Sequence, residues 1–162
     1  DKLVKDCKFN GLVSSFDIMA TAVQAAGIPS QKLKNPIDGV DLLPYLRGEK
    51  VGNPHEYLFW RKMNCSAVRT PDYKLISVDG YGKVLYNITK DPTEMHDIKN
   101  EELEIYEELC QVWSEWNAEM EDRKWDDGGL WPQVTDTITI DLMKNFRNEE
   151  LILYPGAKRK IQ

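Results

Sequence analysis

Four short runs rich in aromatic and β-branched residues lie close together in the middle of the chain, and they constrain its fold more than any other feature. Such runs are typical of β-strands, and turn-forming pairs such as Pro71-Asp72 and Asp79-Gly80 separate them. The gaps are too short for the crossover helices that parallel strands require. The sequence therefore predicts an antiparallel meander, with runs at Tyr57–Arg61, Ser66–Thr70, Tyr73–Val78 and Lys83–Ile88.

A long helix is predicted directly after the meander, over residues 101–121. Asn100 is a candidate N-cap, and the glutamates that follow it complement the helix dipole. Apolar and aromatic residues at helical spacing beside a sheet are typical of core packing rather than of a sugar-binding platform. We expect an α+β fold in which this stripe covers one face of a four-stranded antiparallel sheet. The stripe consists of Leu103, Tyr106, Leu109, Trp113, Trp116, Asn117 and Met120.

A second helix is predicted near the N terminus, over residues 12–27. Ser14 and Asp17 have the spacing of a capping box, and Gly27 followed by Pro29 is a typical stop signal. Apolar residues recur at steps of three and four, as one buried face of a helix requires. That face is predicted to consist of Leu12, Phe16, Met19, Ala20, Val23 and Ala26.

The density of proline and glycine between residues 30 and 53 predicts a connector between packed units. We therefore divide the chain into residues 1–53, 54–128 and 129–162. The last segment has a β-like run at 134–140, a helical turn near 142–147 and a second apolar run at 151–154. These features are compatible with an edge strand, a hairpin or a segment that packs on another domain, so the structure of this tail is left open.

Charge and residue spacing argue against several classes of function. The net charge of −6 argues against a nucleic-acid partner, because phosphate binding needs clustered Lys and Arg. No apolar run approaches the roughly 20 residues that cross a bilayer, so no membrane span is expected. Neither His55 nor His96 lies at metal-ligand spacing from Cys7, Cys65 or Cys110, so no metal site is predicted.

Four motifs then occur in an order that resembles a known family. Val13–Thr21 with Ala26-Gly27-Ile28 is similar to V-S-S-hydrophobic-D-hydrophobic-hydrophobic-P-T ending in A-G-I, with Ala20 in place of the usual Pro. Asp38–Glu49 is similar to D-G-x-S-L-x-P-x-L-x-G-E. The other two motifs are Ala67-Val68-Arg69 with Tyr73-Lys74-Leu75-Ile76, and Leu85-Tyr86-Asn87-Ile88 with Asp91-Pro92-Thr93-Glu94. Over about residues 12–100 the chain resembles the C-terminal region of type I sulfatases, which are arylsulfatase-like enzymes of the alkaline phosphatase superfamily.

The resemblance implies a parent protein that is a sulfuric ester hydrolase and cleaves sulfate monoesters. Enzymes of this family bind calcium and use a formylglycine made from Cys or Ser in a C/S-x-P-x-R segment. We expect these groups in a missing N-terminal part of a longer protein, and we expect the chain alone to be inactive. The helix at 12–27 would then come from the end of the α/β catalytic domain, and residues 54–128 would be the C-terminal sulfatase subdomain. The resemblance also implies a periplasmic or secreted parent, although the residues themselves leave the compartment unknown.

No residue of this chain is predicted to be catalytic or to bind a metal. His55, Trp60 and Arg61 open the first strand run, and in the resembled family this region approaches the substrate pocket. These three residues are therefore the substrate-pocket candidates, with a purely structural role as the alternative. The Cys65–Arg69 segment has Cys and Arg at the separation of the nucleophile motif but lacks its proline, so we interpret it as a coincidence.

Several partners and alternatives follow from the same reasoning. We expect the chain to pack on the missing sulfatase catalytic domain, and the parent to act on a sulfated small molecule or glycan. The apolar face of the helix at 12–27 predicts self-association or docking on the subdomain. The alternatives are a non-catalytic binding or assembly module, and a fragment of a related phosphonate or phosphodiester hydrolase. The acidic cluster of Asp91, Glu94 and Asp97 is interpreted as turn-forming rather than metal-binding.

Overall fold

The computed structural model describes residues 8–29, 32–122, 124–125 and 130–146. Contacts divide the chain between Leu58 and Phe59 into two compact units. On the N-terminal side lie helix α1, Phe16–Ala25, and the short helix α2, Leu43–Leu46. The following elements are strands β1 Leu58–Lys62, β2 Cys65–Arg69, β3 Tyr73–Val78 and β4 Gly82–Asn87, and helices α3 Leu103–Glu119 and α4 Trp131–Phe146.

Helix α1 is shorter than predicted, and its buried face is different. It ends as expected in a Schellman motif, because Gly27 adopts a φ of +67° and the N–H groups of Gly27 and Ile28 donate to carbonyls of the last turn. The predicted apolar face is wrong at Phe16 and Met19, which are 63% and 59% exposed. The buried positions of the helix are instead Asp17, Ala20 and Val23, with Leu12 buried ahead of it.

The backbone of helix α1 leaves no room for a side chain at Gly39, which follows Asp38 in the connector. A Cβ atom at this position would lie 2.2 Å from the carbonyl oxygen of Phe16 and 2.8 Å from the backbone nitrogen of Asp17. Both neighbours are backbone atoms, which cannot move away as a flexible side chain can. The close approach lets the next amide, Val40 N–H, reach the side chain of Asp17 at 2.9 Å.

Within the described residues, β1 to β4 form one antiparallel sheet in sequence order, which confirms the predicted meander and α+β fold. The register pairs β2 with β3 and β3 with β4 directly across. One face carries Val68, Leu75 and Leu85, which are fully buried. Because alternate residues of a strand point to opposite faces, the neighbouring set Arg69, Lys74 and Tyr86 lies on the other face.

Helix α3 covers the Val68 face, as predicted. The indole Nε1–H of Trp113 donates to Ser66 Oγ at 2.9 Å, and the ring of Trp116 stacks on Phe59 with centroids 4.8 Å apart. Leu109 is buried at the centre of this layer. Burial of aromatic and aliphatic surface is the main favourable term here, since each large side chain contributes about 1.5–3 kcal/mol.

Two details of α3 differ from the prediction. The helix begins at Leu103, and Glu102 rather than Asn100 occupies the N-cap position. A turn closed by hydrogen bonds to the carbonyl of Ile98 precedes the helix and shifts its start. The two ends of the predicted buried stripe, Leu103 and Met120, are exposed.

The β-like run at 134–140, in the tail whose structure the sequence left open, lies inside α4. Two threonines of the helix satisfy their hydroxyls by donating to carbonyls four residues earlier, as Thr139 does to Thr135. Ile140 approaches the turn at Gly80, so tertiary packing overrides β-propensity here. Residue 147 and the run at 151–154 lie outside the described residues. No helix in the described part of the chain is long and apolar enough to cross a membrane.

Gly39→Ala tests the close approach in the N-terminal unit. The added methyl must push the connector away from α1, so we expect the free energy of local opening at Val40 to fall by about 1–3 kcal/mol. Amide hydrogen exchange of Val40 should accordingly become about 5- to 140-fold faster. Gly48→Ala is the control: its φ of +73° makes alanine strained, but nothing lies within 4 Å of its Cβ position. Val40 protection that is equal in both variants would contradict the proposed contact.

Candidate functional site on the sheet

The face of the sheet opposite α3 carries an exposed aromatic ring among cations. We call this surface the Trp60 face and define it by Trp60, Lys62, Arg69 and Lys74. Arg69 and Lys74 are directly opposed across β2 and β3. Trp60 is 50% exposed. All the charged strand residues on this face, within the described sheet, are therefore cationic.

Two depressions border the ring of Trp60. The larger has a volume of about 420 Å³ and is lined by Trp60, Ala67, Arg69, Lys74, Ile88, Pro92 and Glu94. The smaller has a volume of about 260 Å³ and is lined by Trp60, Lys62, Met63, Asn64, Cys65, Ser66, Ala67, Thr135 and Thr139. Trp60 thus lines both concave surfaces, which is a favourable position for contact with a ligand.

Lys74 is neutralised by an acidic residue of the loop after β4. Its Nζ donates to both carboxylate oxygens of Glu94, at 2.7 and 3.0 Å. Glu94 adopts a φ of +58°, a left-handed conformation that is uncommon outside glycine. The loop around it therefore holds the carboxylate in one position over β3.

Asp91 organises that loop, as the sequence predicted for the acidic cluster. Its carboxylate accepts hydrogen bonds from the amides of Met95 and His96 at 2.7 and 2.8 Å, and from the hydroxyl of Thr93 at 2.7 Å. The amide of His96, followed by the hydroxyl of Thr93, lowers the pKa of Asp91 below its usual value. The carboxylate is thus ionised and engaged by the chain itself, which is typical of a turn.

Asp97 has a similar structural role one turn later. Its carboxylate accepts from the amide of Leu85 at 2.9 Å, next to a backbone bond from Ile98 N–H to the Leu85 carbonyl. Together these bonds attach the loop to β4. In the parts of the chain that the structure describes, no group of three His, Cys, Asp or Glu side chains could hold a metal ion.

Arg61 lies on the opposite side of β1 from Trp60, next to the C-terminal end of α3. Its guanidinium donates to Asn117 Oδ1 at 3.3 Å and to the carbonyl of Glu121 at 3.2 Å, and it lies 3.6 Å from the carboxylate of Asp122. A groove of about 830 Å³ adjoins it, between β1, β2 and α3. The structure therefore places Trp60 and Arg61 beside two different concave surfaces.

His55 lies in the N-terminal unit, where its ring pairs with a buried acid. The Nε2–H of His55 lies 2.8 and 2.9 Å from the two carboxylate oxygens of Asp17, which is completely buried. The same carboxylate accepts from the amides of Ser14 at 2.7 Å and Val40 at 2.9 Å. One side chain thus connects the start of α1, the connector and the segment before β1.

Asp17 is ionised despite its burial. Burial alone raises the pKa of a carboxyl group, but the amides of Val40 and Ser14 and the ring of His55 together outweigh it. The net result is a pKa below the ordinary value of 3.8. This pairing was not predicted from the sequence, where only the Ser14–Asp17 spacing gave a signal.

Cys65 has none of the features of a nucleophile that a helix N-terminus would activate. It lies at the start of β2, and burial raises the pKa of its thiol. A raised pKa disfavours the reactive thiolate. The location supports the interpretation of the Cys65–Arg69 segment as a coincidence.

Comparison with known proteins found a relative in sequence and solved structures with a similar fold. The uncharacterized sulfatase YdeN of Escherichia coli K12 is 45% identical over 53 residues, which are 32% of this chain and 9% of YdeN. The crystal structure of Ps i-CgsB superposes with a TM-score of 0.61 at 19% identity, covering 85% of this chain and 31% of that one. No protein-family model matches the chain.

Two further structures share the fold at lower TM-scores. BT4656, solved with its substrate D-glucosamine-2-N,6-O-disulfate, gives a TM-score of 0.52 at 23% identity over 70% of this chain and 25% of BT4656. The phosphonate monoester hydrolase of Agrobacterium radiobacter gives 0.50 at 20% identity over 67% of this chain and 25% of that one. The chain thus spans about a third or less of the proteins it matches, and it matches the C-terminal region of a sulfatase.

Asp17→Asn tests the buried acid. An amide cannot accept from two backbone N–H groups and His55 as a carboxylate does, so we expect a loss of about 2–5 kcal/mol in the opening free energy of α1 at neutral pH. The folded pKa of Asp17 is lowered, so its contribution is complete above the unfolded value near 4 and is lost as pH falls through the folded value. The difference between wild type and variant should therefore shrink only in acid.

Amide hydrogen exchange of α1 between about pH 2.5 and 7 measures this difference. Asp91 also has a lowered pKa but is present in both proteins, so its effect cancels. Asp38→Asn, at an exposed carboxyl, is the matched control and should leave α1 unchanged. A difference between wild type and Asp17→Asn that stays constant over the whole range would show that Asp17 is not the titrating group.

Proposed function

We propose that this chain is the C-terminal part of a sulfatase and that its complete protein hydrolyses sulfate monoesters. The observation that carries the proposal is the combination of a 45% identical segment in a sulfatase with the meander and α3 arrangement. Sequence identity at that level points to the family, and the fold extends the likeness beyond the identical segment. In this proposal, residues 54–128 form the C-terminal subdomain, and the reactive groups lie in the catalytic domain.

Sulfate ester hydrolysis of this kind needs groups that the described residues do not supply. A divalent cation requires converging oxygen ligands, and no such group occurs among the described residues, where Asp17 and Asp91 accept from backbone amides and Glu94 pairs with a lysine. The proposal therefore assigns calcium and a formylglycine, which the family resemblance implies, to a catalytic domain outside this chain. The role proposed for this chain is to pack on that domain, with His55, Trp60 and Arg61 each as a separate candidate for contact with the substrate pocket.

The substrate class proposed for the parent is a sulfated small molecule or glycan. BT4656 was solved with a disulfated glucosamine, and Ps i-CgsB was also solved with a neocarrahexaose. Both ligands are saccharides, and both proteins share the fold of this chain. A periplasmic or secreted location follows from the family resemblance alone.

A related hydrolase is the second candidate. The phosphonate monoester hydrolase of Agrobacterium radiobacter shares the fold, so the anion that the parent cleaves is either sulfate or a phosphorus oxyanion. An expressed full-length protein should turn over an aryl sulfate faster than the matched aryl phosphonate. The reverse order would favour the second candidate without changing the fold.

A non-catalytic binding or assembly module is the third candidate. The reading frame that precedes residue 1 distinguishes this module from the two candidate hydrolases. A C/S-x-P-x-R segment several hundred residues upstream supports a hydrolase, whereas a start codon immediately upstream supports a free-standing module.

The chain by itself should not hydrolyse a chromogenic aryl sulfate. The reaction needs a nucleophile, a cation and basic groups held around one sulfate, and the proposal assigns all of these to another part of the protein. The assay compares the purified chain with buffer, in the presence of calcium. Turnover that copurifies with the chain and is lost in a variant of the chain itself would overturn the proposed division of roles.

The exposed side of α1 should cause association when the catalytic domain is absent. Phe16, Ile18 and Met19 are all more than half exposed, and contiguous apolar surface of this kind favours burial against another protein. Light scattering should show species larger than the monomer, and the double variant Phe16→Ser/Met19→Ser should reduce them. Gln24→Ser, at an exposed polar position of the same helix, is the control. A strictly monomeric wild type would contradict self-association through residues 12–27.

A further inference from the structure

We infer that the Trp60 face is a binding site for an anionic carbohydrate, with Trp60 as the stacking platform and Arg69 as the group that holds the anion. The inference deepens the proposed function, on which it rests for the choice of sulfated sugars as the anionic class. It assigns a second task to the chain besides packing on a catalytic domain. The argument starts from the charges of the strands.

The β2–β3 register places two cations opposite each other, and the neighbouring carboxylate neutralises only one of them. Arg69 and Lys74 are cross-strand partners, and like charges directly opposite each other destabilise a sheet. Glu94 neutralises Lys74 through two hydrogen bonds. Arg69 is exposed and has no ion-pair partner among the described residues. The fork of its guanidinium is therefore available for an oxyanion, with which it makes paired hydrogen bonds.

Trp60 supplies the second half of the site. Both Trp60 and Arg69 line the larger depression, whose volume of about 420 Å³ lies in the range of small-molecule sites, roughly 300–1,000 Å³. An indole that is half exposed beside such a depression can stack on the apolar face of a sugar ring, which buries more surface than any other side chain would. Lys62, exposed on the same face, lies at the smaller depression on the other side of the ring.

The charge of the whole chain selects among anionic ligands. The net charge is −6, so a densely charged polyanion is repelled by most of the surface and nucleic acid is disfavoured. A sugar with one or a few anionic groups suits a single free arginine beside one aromatic ring. The two depressions on either side of Trp60 fit a ligand with consecutive rings, that is, an oligosaccharide.

The test measures binding of three probes to the chain by titration calorimetry at pH 7. The probes are a short dextran oligosaccharide that carries one sulfate, the unsulfated dextran oligosaccharide of the same length, and a capped peptide that carries one glutamate. The inference predicts saturable binding of the sulfated sugar and no measurable binding of the peptide. The affinity for the unsulfated sugar should be lower than that for the sulfated one by about tenfold or more. Equal binding of sugar and peptide would reduce the site to non-specific electrostatics and overturn the inference.

Substitutions then separate the two halves of the site. Trp60→Ala should weaken binding of both sugars, whereas Arg69→Ala should weaken only that of the sulfated one, each by about tenfold. The conservative variants Trp60→Phe and Arg69→Lys should retain part of the affinity. They show that the alanine variants lose binding through the missing side chain and not through unfolding. Trp125→Ala and Lys90→Ala are the controls, because they remove an exposed indole and an exposed ammonium outside the Trp60 face.

Failure of this inference is distinguishable from failure of the proposed function. If the full-length protein hydrolyses sulfate esters while the chain binds none of the three probes, the Trp60 face is not a carbohydrate site and the sulfatase proposal stands. If the chain binds the sulfated sugar and the full-length protein has no hydrolase activity, the Trp60 face is a carbohydrate site and the sulfatase proposal fails. Binding that is unchanged in both Trp60→Ala and Arg69→Ala would place the sugar elsewhere and overturn the inference.

Discussion

The register between β2 and β3 is the constraint on which the C-terminal unit depends. Because side chains alternate with a period of two, a slip of one residue would move every side chain of a strand to the other face. The observed register places Val68 and Leu75 together under α3, where both are fully buried. It also fixes Arg69 opposite Lys74 on the other face. The core and the cationic Trp60 face are thus two consequences of one pairing, and neither can change without the other.

Three acidic residues in or next to the resembled motifs have a common structural use. Asp17, Asp91 and Asp97 each accept hydrogen bonds from backbone amides, and each attaches an irregular segment to a helix, a turn or a strand. Ionised carboxylates accept strong hydrogen bonds, which explains why acids occur in loops that must keep one shape. Glu94 differs, because it neutralises a strand lysine instead. The carboxylates at these positions therefore belong to the scaffold of the chain.

Much of the fold was predictable from local patterns, because strands, turns and the long helix carry periodicities that survive in a single sequence. The α1 prediction failed at Phe16 and Met19 because an inward-facing Asp17 replaced an apolar residue, and its partner His55 lies 38 residues away. No local pattern encodes such a distant pair. The sequence left the tail open, and its β-like run at 134–140 lies in a helix, so local β-propensity did not decide its structure. Of the site candidates, Trp60 lies beside the charged depression, but Arg69 and Lys74 were overlooked, because their place on that face depends on the pairing between strands and not on alternation within one strand.

The most direct test of the register and its charges is a double-mutant cycle between Arg69 and Lys74, which oppose each other across β2 and β3. The free energy of unfolding is measured for wild type, Arg69→Ala, Lys74→Ala and the double variant. Because the two cations repel each other, removal of Arg69 should be more favourable when Lys74 is present than in the Lys74→Ala background, by about 0.2–1 kcal/mol. High salt should diminish this coupling. A coupling of zero at low salt, or one of the opposite sign, would show that Arg69 and Lys74 do not face each other.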